Sequence, residues 1–323
     1  MKTLVCRQYQ SPKELSVIDT AEPVIADGQI LVQVRAVGLN YVDGLLVQGR
    51  YQMKVPTPFT PGGEISGEVV SIGKGVTEFK IGDPVLANVG IGGLAEYVSV
   101  YAKQALIIPK GLNFPVAATL SQSYATALFS LRKRGRLTAG EKLLVLGAGG
   151  GVGLAACDVG HALGAEVIAA ASSEAKLQAA RLAGADMLVN YSDSDLKTSV
   201  RQLTAGGVDL VFDPVGGDYT EPALRTLKYN GRLLVIGFAS GSIASIPVNQ
   251  VLLRNRQVVG VDWGAWSMAH LDDNRLLMQE ILNWIAEGKL HPPHPNQCTL
   301  ADAGQNMQAL LDRQVVGKTA VVF

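Results

Sequence analysis

Between about Ser121 and Val259 the chain alternates short apolar segments with helical ones, and this alternation limits the fold more than any other feature. The apolar segments are Leu143–Leu146, Glu166–Ala170, Met187–Val189, Val208–Phe212, Arg232–Ile236 and Gln257–Val261. Each is short and apolar almost throughout, as expected of strands covered on both faces of a parallel sheet. Helical patterns such as Gly153–Leu163 and Glu174–Ala183 lie between them. Six strands with intervening helices predict an α/β domain with a doubly wound parallel sheet, the Rossmann arrangement.

The first of these strands runs into glycine: Leu143-Leu144-Val145-Leu146-Gly147-Ala148-Gly149-Gly150-Gly151-Val152-Gly153-Leu154. A strict G-x-G-x-x-G is absent, and the nearest register, Ala148-x-Gly150-x-x-Gly153, has Ala in its first position. The physics survives the departure. Gly150 lets backbone approach a diphosphate, Gly151 adds space, and the N–H groups at Gly151 and Val152 open a helix whose positive end favours an anion. Gly153 permits close packing of helix on strand. NAD-binding sheets usually place Asp or Glu at the end of the second strand, to hold the ribose 2′-hydroxyl. Here that end reads Ala171-Ser172-Ser173-Glu174-Ala175-Lys176. Hydroxyls and a lysine suit a 2′-phosphate, which a carboxylate would repel. The expected coenzyme is therefore NADPH, with Ser172, Ser173 and Lys176 on its 2′-phosphate and Tyr191, just after the third strand, as a further donor. Glu174 is the one nearby residue of the wrong charge.

The chain on either side has another texture. Residues 1 to about 120 read as short strands between turns, with Leu31–Val37 alternating at period two and Pro and Gly at 56, 58, 61–63, 82 and 84. That pattern predicts a β-rich, barrel-like domain. The last segment carries two amphipathic helical patterns, Asp272–Glu287 with Leu276, Leu277, Ile281, Trp284 and Ile285, and Ala301–Asp312. A final strand follows at 319–322. The expected domains are thus 1–121, 122–259 and 260–323. Lys plus Arg and Asp plus Glu are both 28, so there is no basic surplus for nucleic acid or an acidic membrane. No apolar run is long enough for a spanning helix, and Met1–Arg7 lacks a signal-type apolar core. Three scattered cysteines, Cys6, Cys157 and Cys298, suggest reduced thiols in a cytoplasmic protein.

Further motifs then fall into order: Ala36–Asp43, Pro61–Val69, Phe79–Val85, the 148–153 loop, Phe212–Gly217, Ile236-Gly237-Phe238 and Val316–Thr319. With these the chain resembles the zinc-independent quinone oxidoreductases of the medium-chain dehydrogenase/reductase superfamily, over essentially its whole length. The resemblance implies a GroES-like catalytic domain built from both chain ends, with the Rossmann domain between them. It also implies an active site in the interdomain cleft, and a homodimer joined through the last strands, near Gln257–Val261. Zinc-dependent relatives would have Cys, His and Cys where this chain has Asn40, Gly63 and Gln122; Glu64 survives from that pattern. These side chains do not make a zinc site.

Without a Lewis acid, alcohol oxidation loses its main electrostatic help, whereas hydride transfer to a conjugated acceptor needs mainly alignment and exclusion of water. The resemblance implies that the stretch carrying Asn40, Tyr41 and Asp43 lines the catalytic cleft, and Tyr51 is a further aromatic candidate there. Asn40 is expected as a donor to the acceptor oxygen, Asp43 as an orienting group, and Tyr41 and Tyr51 as stacking or proton-donating rings. Thr126 is expected at the nicotinamide face. Val215, Gly237, Phe238 and Trp263 lie at strand ends facing the coenzyme, and Lys318 near its phosphates. Three functions stay open: reduction of a quinone by NADPH, reduction of enones, 2-alkenals or enoyl thioesters, and a non-enzymatic NADPH-binding role. The implied partner is a small molecule.

Overall fold

The computed structural model describes all 323 residues, Met1–Phe323. The first stretch of chain forms seven strands: β1 (Lys2–Val5), β2 (Ser16–Asp19), β3 (Gln29–Leu39), β4 (Glu64–Ile72), β5 (Pro84–Asn88), β6 (Tyr97–Tyr101) and β7 (Ala105–Ile107), with helix α1 (Tyr41–Val47) after β3. The alternating stretch then supplies β8 (Lys142–Leu146), α2 (Gly151–Ala162), β9 (Glu166–Ala171), α3 (Glu174–Leu182), β10 (Met187–Asn190), α4 (Leu196–Leu203), β11 (Val208–Asp213), β12 (Leu227–Val235) and β13 (Gln257–Gly260). The chain closes with α5 (Leu271–Ala286), β14 (Asn296–Cys298), α6 (Ala303–Leu311) and β15 (Thr319–Val322). None of the helices is long and apolar enough to cross a membrane.

Two compact units result. The first comprises residues 1–122, 271–286 and 293–323, and the second 123–270 and 287–292. The return to the first unit therefore comes at Leu271, eleven residues after the expected 260. Residues 287–292 belong to the second unit for a specific reason. Buried Asp158 on α2 accepts the backbone N–H of His291 at 2.8 Å and the Tyr124 hydroxyl at 2.7 Å, which pins this short strap.

In the first unit, β14-β15-β3-β4-β5-β7 form one sheet, with β6 also paired to β3. Both chain ends build it, since β15 runs antiparallel to β3 with Thr319 opposite Leu39. Strand β3 buries Ile30, Val32 and Val34 and leaves the residues between them half-exposed, the period-two pattern of a sheet with one face on a core. Ile65, Val69, Val85 and Val100 complete that core.

In the second unit all six strands are parallel, in the order β10-β9-β8-β11-β12-β13. This is the doubly wound order with its switch point beside β8, where such sheets bind ligands at the carboxyl ends of the strands. Leu144, Leu146, Ile168, Val211 and Leu233 fill the core. Strand β12 begins at Leu227, five residues before the expected start, and its pairing with β11 shifts register between Val208–Leu227 and Leu210–Arg232. Helix α5 also differs from its sequence pattern. Leu277, Met278, Ile281 and Leu282 face inward, whereas Leu276 is exposed.

Candidate functional site

The second unit carries the glycine loop between β8 and α2. Gly150 caps α2 without a side-chain bond, so the helix's first N–H groups, at Gly151 and Val152 onward, keep no protein cap. A Cβ on Gly153 would lie 2.3 Å from the Gly147 carbonyl oxygen, so only glycine lets helix and turn approach this closely. A Cβ on Gly149 would lie 2.4 Å from the Cβ of Lys176, which shows how tightly that lysine crosses the loop. From there the Lys176 ammonium reaches the Ser172 hydroxyl at 3.3 Å. The Ser172 carbonyl accepts the Ser192 hydroxyl at 3.2 Å. Tyr191 stands next in line, its N–H on the Ala171 carbonyl and its ring 4.5 Å from that of Tyr219.

Ser172, Lys176 and Tyr191 are thus gathered at the ends of β9 and β10, and Ser173 begins α3 beside them. The Glu174 carboxylate is exposed and turned along its own helix to Gln178. Ser192 was not singled out by sequence reasoning. Its signal was only a second polar residue after a strand, shared with most turns.

A second turn packs on the loop. Asp213, at the end of β11, accepts the N–H groups of Val215 and Gly216, both at 2.9 Å, and the Thr220 hydroxyl at 2.6 Å. Burial pushes its carboxyl up, against the pull of those three donors. Gly216 has φ +70°, a conformation that costs a side chain dearly. The segment after β12 lies on this turn, with Ala239 N–H on the Pro214 carbonyl and Ser240 N–H on that of Val215. Val215, Gly237 and exposed Phe238 therefore come together. Trp263 starts a seven-residue helix and is buried. Thr126 is buried in the helical stretch from Ser121 to Arg134, which is wound as π-helix on both sides of it.

The first unit holds a separate group of buried charges. Glu64, the first residue of β4, accepts from the Asn40 amide at 2.9 Å, the Lys318 ammonium at 2.6 Å and the Gln122 backbone N–H at 2.9 Å. Lys318 also reaches the Asn40 Oδ1 at 2.5 Å and the Leu39 carbonyl at 3.2 Å. Asn40 caps α1, and Asp43 in its first turn accepts the Asn40 N–H at 2.8 Å. Tyr41 and Tyr51 are half-buried, Tyr51 against the unit's core.

Two expectations change here. Lys318, expected near the coenzyme phosphates, has its three ammonium hydrogens facing three oxygens of this unit. Asn40 is no free donor, because its amide hydrogens face Glu64 and, at 3.3 Å, the Gly38 carbonyl. A zinc ion does not fit this set either. Asn40, Gly63 and Gln122 supply no thiolate or imidazole, and the carboxylate beside them, Glu64, is bound to an ammonium.

Asp43 is the strained member. Its Oδ1 is buried without a hydrogen-bond partner. Burial pushes its pKa up to about 6, with Glu64 adding to the rise and Lys318 opposing it. Folding thus favours the protonated form. The resulting stability is complete below the unfolded value of 3.8 and disappears as pH rises through about 6. A rise of that size corresponds to about 3 kcal/mol. Asp43→Asn keeps an acceptor for the Asn40 N–H and cannot ionise. In urea unfolding at pH 4 and pH 7, the variant's stability relative to wild type should improve at the higher pH by roughly that amount. Parallel behaviour of the two proteins would refute it.

The comparisons with known proteins bear on both groups. Residues 26–110 match the alcohol dehydrogenase GroES-like domain, and 151–282 the zinc-binding dehydrogenase domain. Quinone oxidoreductase-like protein 2 of Bos taurus is 37% identical over 319 residues, 98% of this chain and 91% of that protein. A probable oxidoreductase from Mycobacterium abscessus superposes with a TM-score of 0.90 at 35% identity, over 100% of this chain and 99% of that one. Escherichia coli quinone oxidoreductase, solved in complex with NADPH, superposes with a TM-score of 0.90 at 25% identity over the whole of both chains. With its GroES-like and parallel-sheet parts in this order, the chain belongs to the quinone oxidoreductase family of the medium-chain dehydrogenases/reductases.

Proposed function

We propose that this oxidoreductase reduces a quinone at the expense of NADPH, without a metal. The observation that carries the reading is the Ser172–Lys176 pair at the end of β9, where an NAD-binding sheet would hold a carboxylate. The glycine loop fits the rest of the coenzyme. It presents an uncapped helix N-terminus, and space opens above Gly150, where a Cβ would meet only the Gly147 carbonyl, at 3.5 Å. The NADPH in the similar Escherichia coli enzyme supports the same choice.

When bound, NADPH would supply the hydride. The chain's own work is to hold and orient. The N–H groups of Gly151 and Val152 would take the diphosphate, and Ser172, Ser173, Lys176 and Tyr191 the 2′-phosphate. Val215, Gly237 and Phe238 would line the strand ends, with Thr126 and Trp263 at the nicotinamide. Tyr41 and Tyr51 would present flat rings to a flat acceptor, and the capped first turn of α1 fixes where Tyr41 stands. The reading extends to a cytoplasmic homodimer. Its support is three free thiols and the outer edge of β13, which is unpaired and flanked by exposed Val248, Leu252 and Val258.

NADPH consumption with quinones, 2-alkenals and enoyl-CoA esters as separate acceptors tests the proposal. Turnover with quinones and little with the others is expected. Preference for the alkenals or thioesters would move the function to enone reduction. No turnover with any acceptor would refute both.

A further inference from the structure

The first unit's charge cluster contains a cation of its own, and it is part of the chain. The Lys318 side chain is 11% exposed and that of Glu64 2%. Three oxygens converge on its Nζ: Asn40 Oδ1 at 2.5 Å, Glu64 Oε1 at 2.6 Å and Leu39 O at 3.2 Å. An ammonium has three hydrogens and no acceptor, so the match of donors to acceptors is complete. Asn40 stands in the first of the slots that carry zinc ligands in relatives, and Glu64 follows directly on the second, Gly63. Asn40 is also the cap of α1, whose first residue is Tyr41. An ammonium gripping Asn40 Oδ1 fixes which way that carboxamide faces, leaving Nδ2 to Glu64 and Gly38.

We propose that Lys318 is a positioning residue of the reductase, a tethered ammonium that balances Glu64 and locks the Asn40 turn carrying Tyr41, in a place where a metal would otherwise provide the positive charge. It acts through Asn40 and Glu64 and touches neither coenzyme nor acceptor. The effect on turnover rests on the quinone reductase reading; the occupation of the three-oxygen cage by an ammonium does not.

The test is Lys318→Ala with n-propylammonium, which restores the missing atoms without the tether. The expected Kd for NADPH stays within about twofold of wild type, because the coenzyme phosphates have other partners. The expected kcat/KM for the quinone falls about 100-fold, the order expected when a supporting group lets a reacting geometry slip. Propylammonium should raise it saturably, by about tenfold, and raise the variant's melting temperature with the same concentration dependence; tetramethylammonium and propanol should do neither. A tenfold loss of NADPH affinity would place Lys318 on the coenzyme and overturn the proposal. So would unchanged turnover, or a melting temperature insensitive to the amine.

If the wild type reduces no quinone, the function reading fails, and the melting data still decide whether the cage holds an ammonium. If Lys318→Ala does not fold, the double variant Lys318→Met/Glu64→Gln removes both charges together. NADPH binding without quinone turnover in that protein supports the proposal, and wild-type turnover refutes it.

Discussion

Ser172→Asp combined with Lys176→Ala should reverse the coenzyme preference, weakening NADPH by about 200-fold while NADH gains or holds. The magnitude follows from two charge-assisted contacts to one phosphate, each contributing about 1.5–3 kcal/mol. The sign follows from chemistry at a single atom. The 2′-phosphate is a dianion, for which, on the proposed reading, Lys176 would supply charge and Ser172 a hydroxyl, held 3.3 Å from that ammonium. A carboxylate at 172 repels the phosphate and can instead accept the ribose 2′-hydroxyl of NADH. The substitution is tolerable because Ser172 is half-buried at a strand end and its backbone carbonyl, bonded to Ser192, is untouched. Fluorescence titration with both coenzymes reads the result. Equal weakening of NADPH and NADH would show that the pair supports the loop generally and does not sense the phosphate, and the coenzyme assignment would fall with it.

How far these residues could be read beforehand depends on how locally they act. The second unit's strands are apolar runs whose pattern follows from being covered on both faces, so five of the six were found to within a residue or two. The sixth, β12, starts early, at Leu227, and the polar residues between there and Arg232, with the register shift they accompany, do not read as a buried strand. Ser172, Lys176 and Tyr191 could be grouped from the sequence because sheet topology brings successive strand ends together.

The surroundings of Lys318 were not legible because its partners are remote. Asn40 lies 278 residues away and Glu64 254, and the pairings of β15 with β3 and of β3 with β4 bring them together. Without that contact, a lysine in a Gly-Lys-Thr turn looks free to take a phosphate. The occupation of the Asn40 amide was equally hidden, since Glu64 comes to it only through the pairing of β3 with β4. The strap at 287–292 escaped notice because one buried carboxylate, Asp158, holds it.

Gly150→Ala separates what the glycine loop does for the fold from what it does for the ligand. The residue's backbone, φ −85° and ψ 165°, is extended and open to alanine. The new methyl would meet only the Gly147 carbonyl oxygen, at 3.5 Å, an ordinary contact. The melting temperature should therefore stay within about 2 °C of wild type, as for a substitution that creates no clash or cavity. On the proposed reading, however, the methyl would occupy the space through which the diphosphate approaches the N–H groups of Gly151 and Val152. A ligand kept about 1 Å further from those donors loses most of each hydrogen bond, so affinity should fall at least about 100-fold. The loss should be equal for NADPH and NADH, because both carry the same diphosphate, and this distinguishes it from the effect at Ser172. Gly153→Ala makes the contrast. Its methyl would lie 2.3 Å from the Gly147 oxygen and 2.8 Å from the Ala148 Cα, so the backbone must move and stability should fall by about 1–3 kcal/mol along with binding. Calorimetric titration of the folded Gly150 variant decides the matter, since undiminished coenzyme affinity would mean that the diphosphate does not lie on this turn.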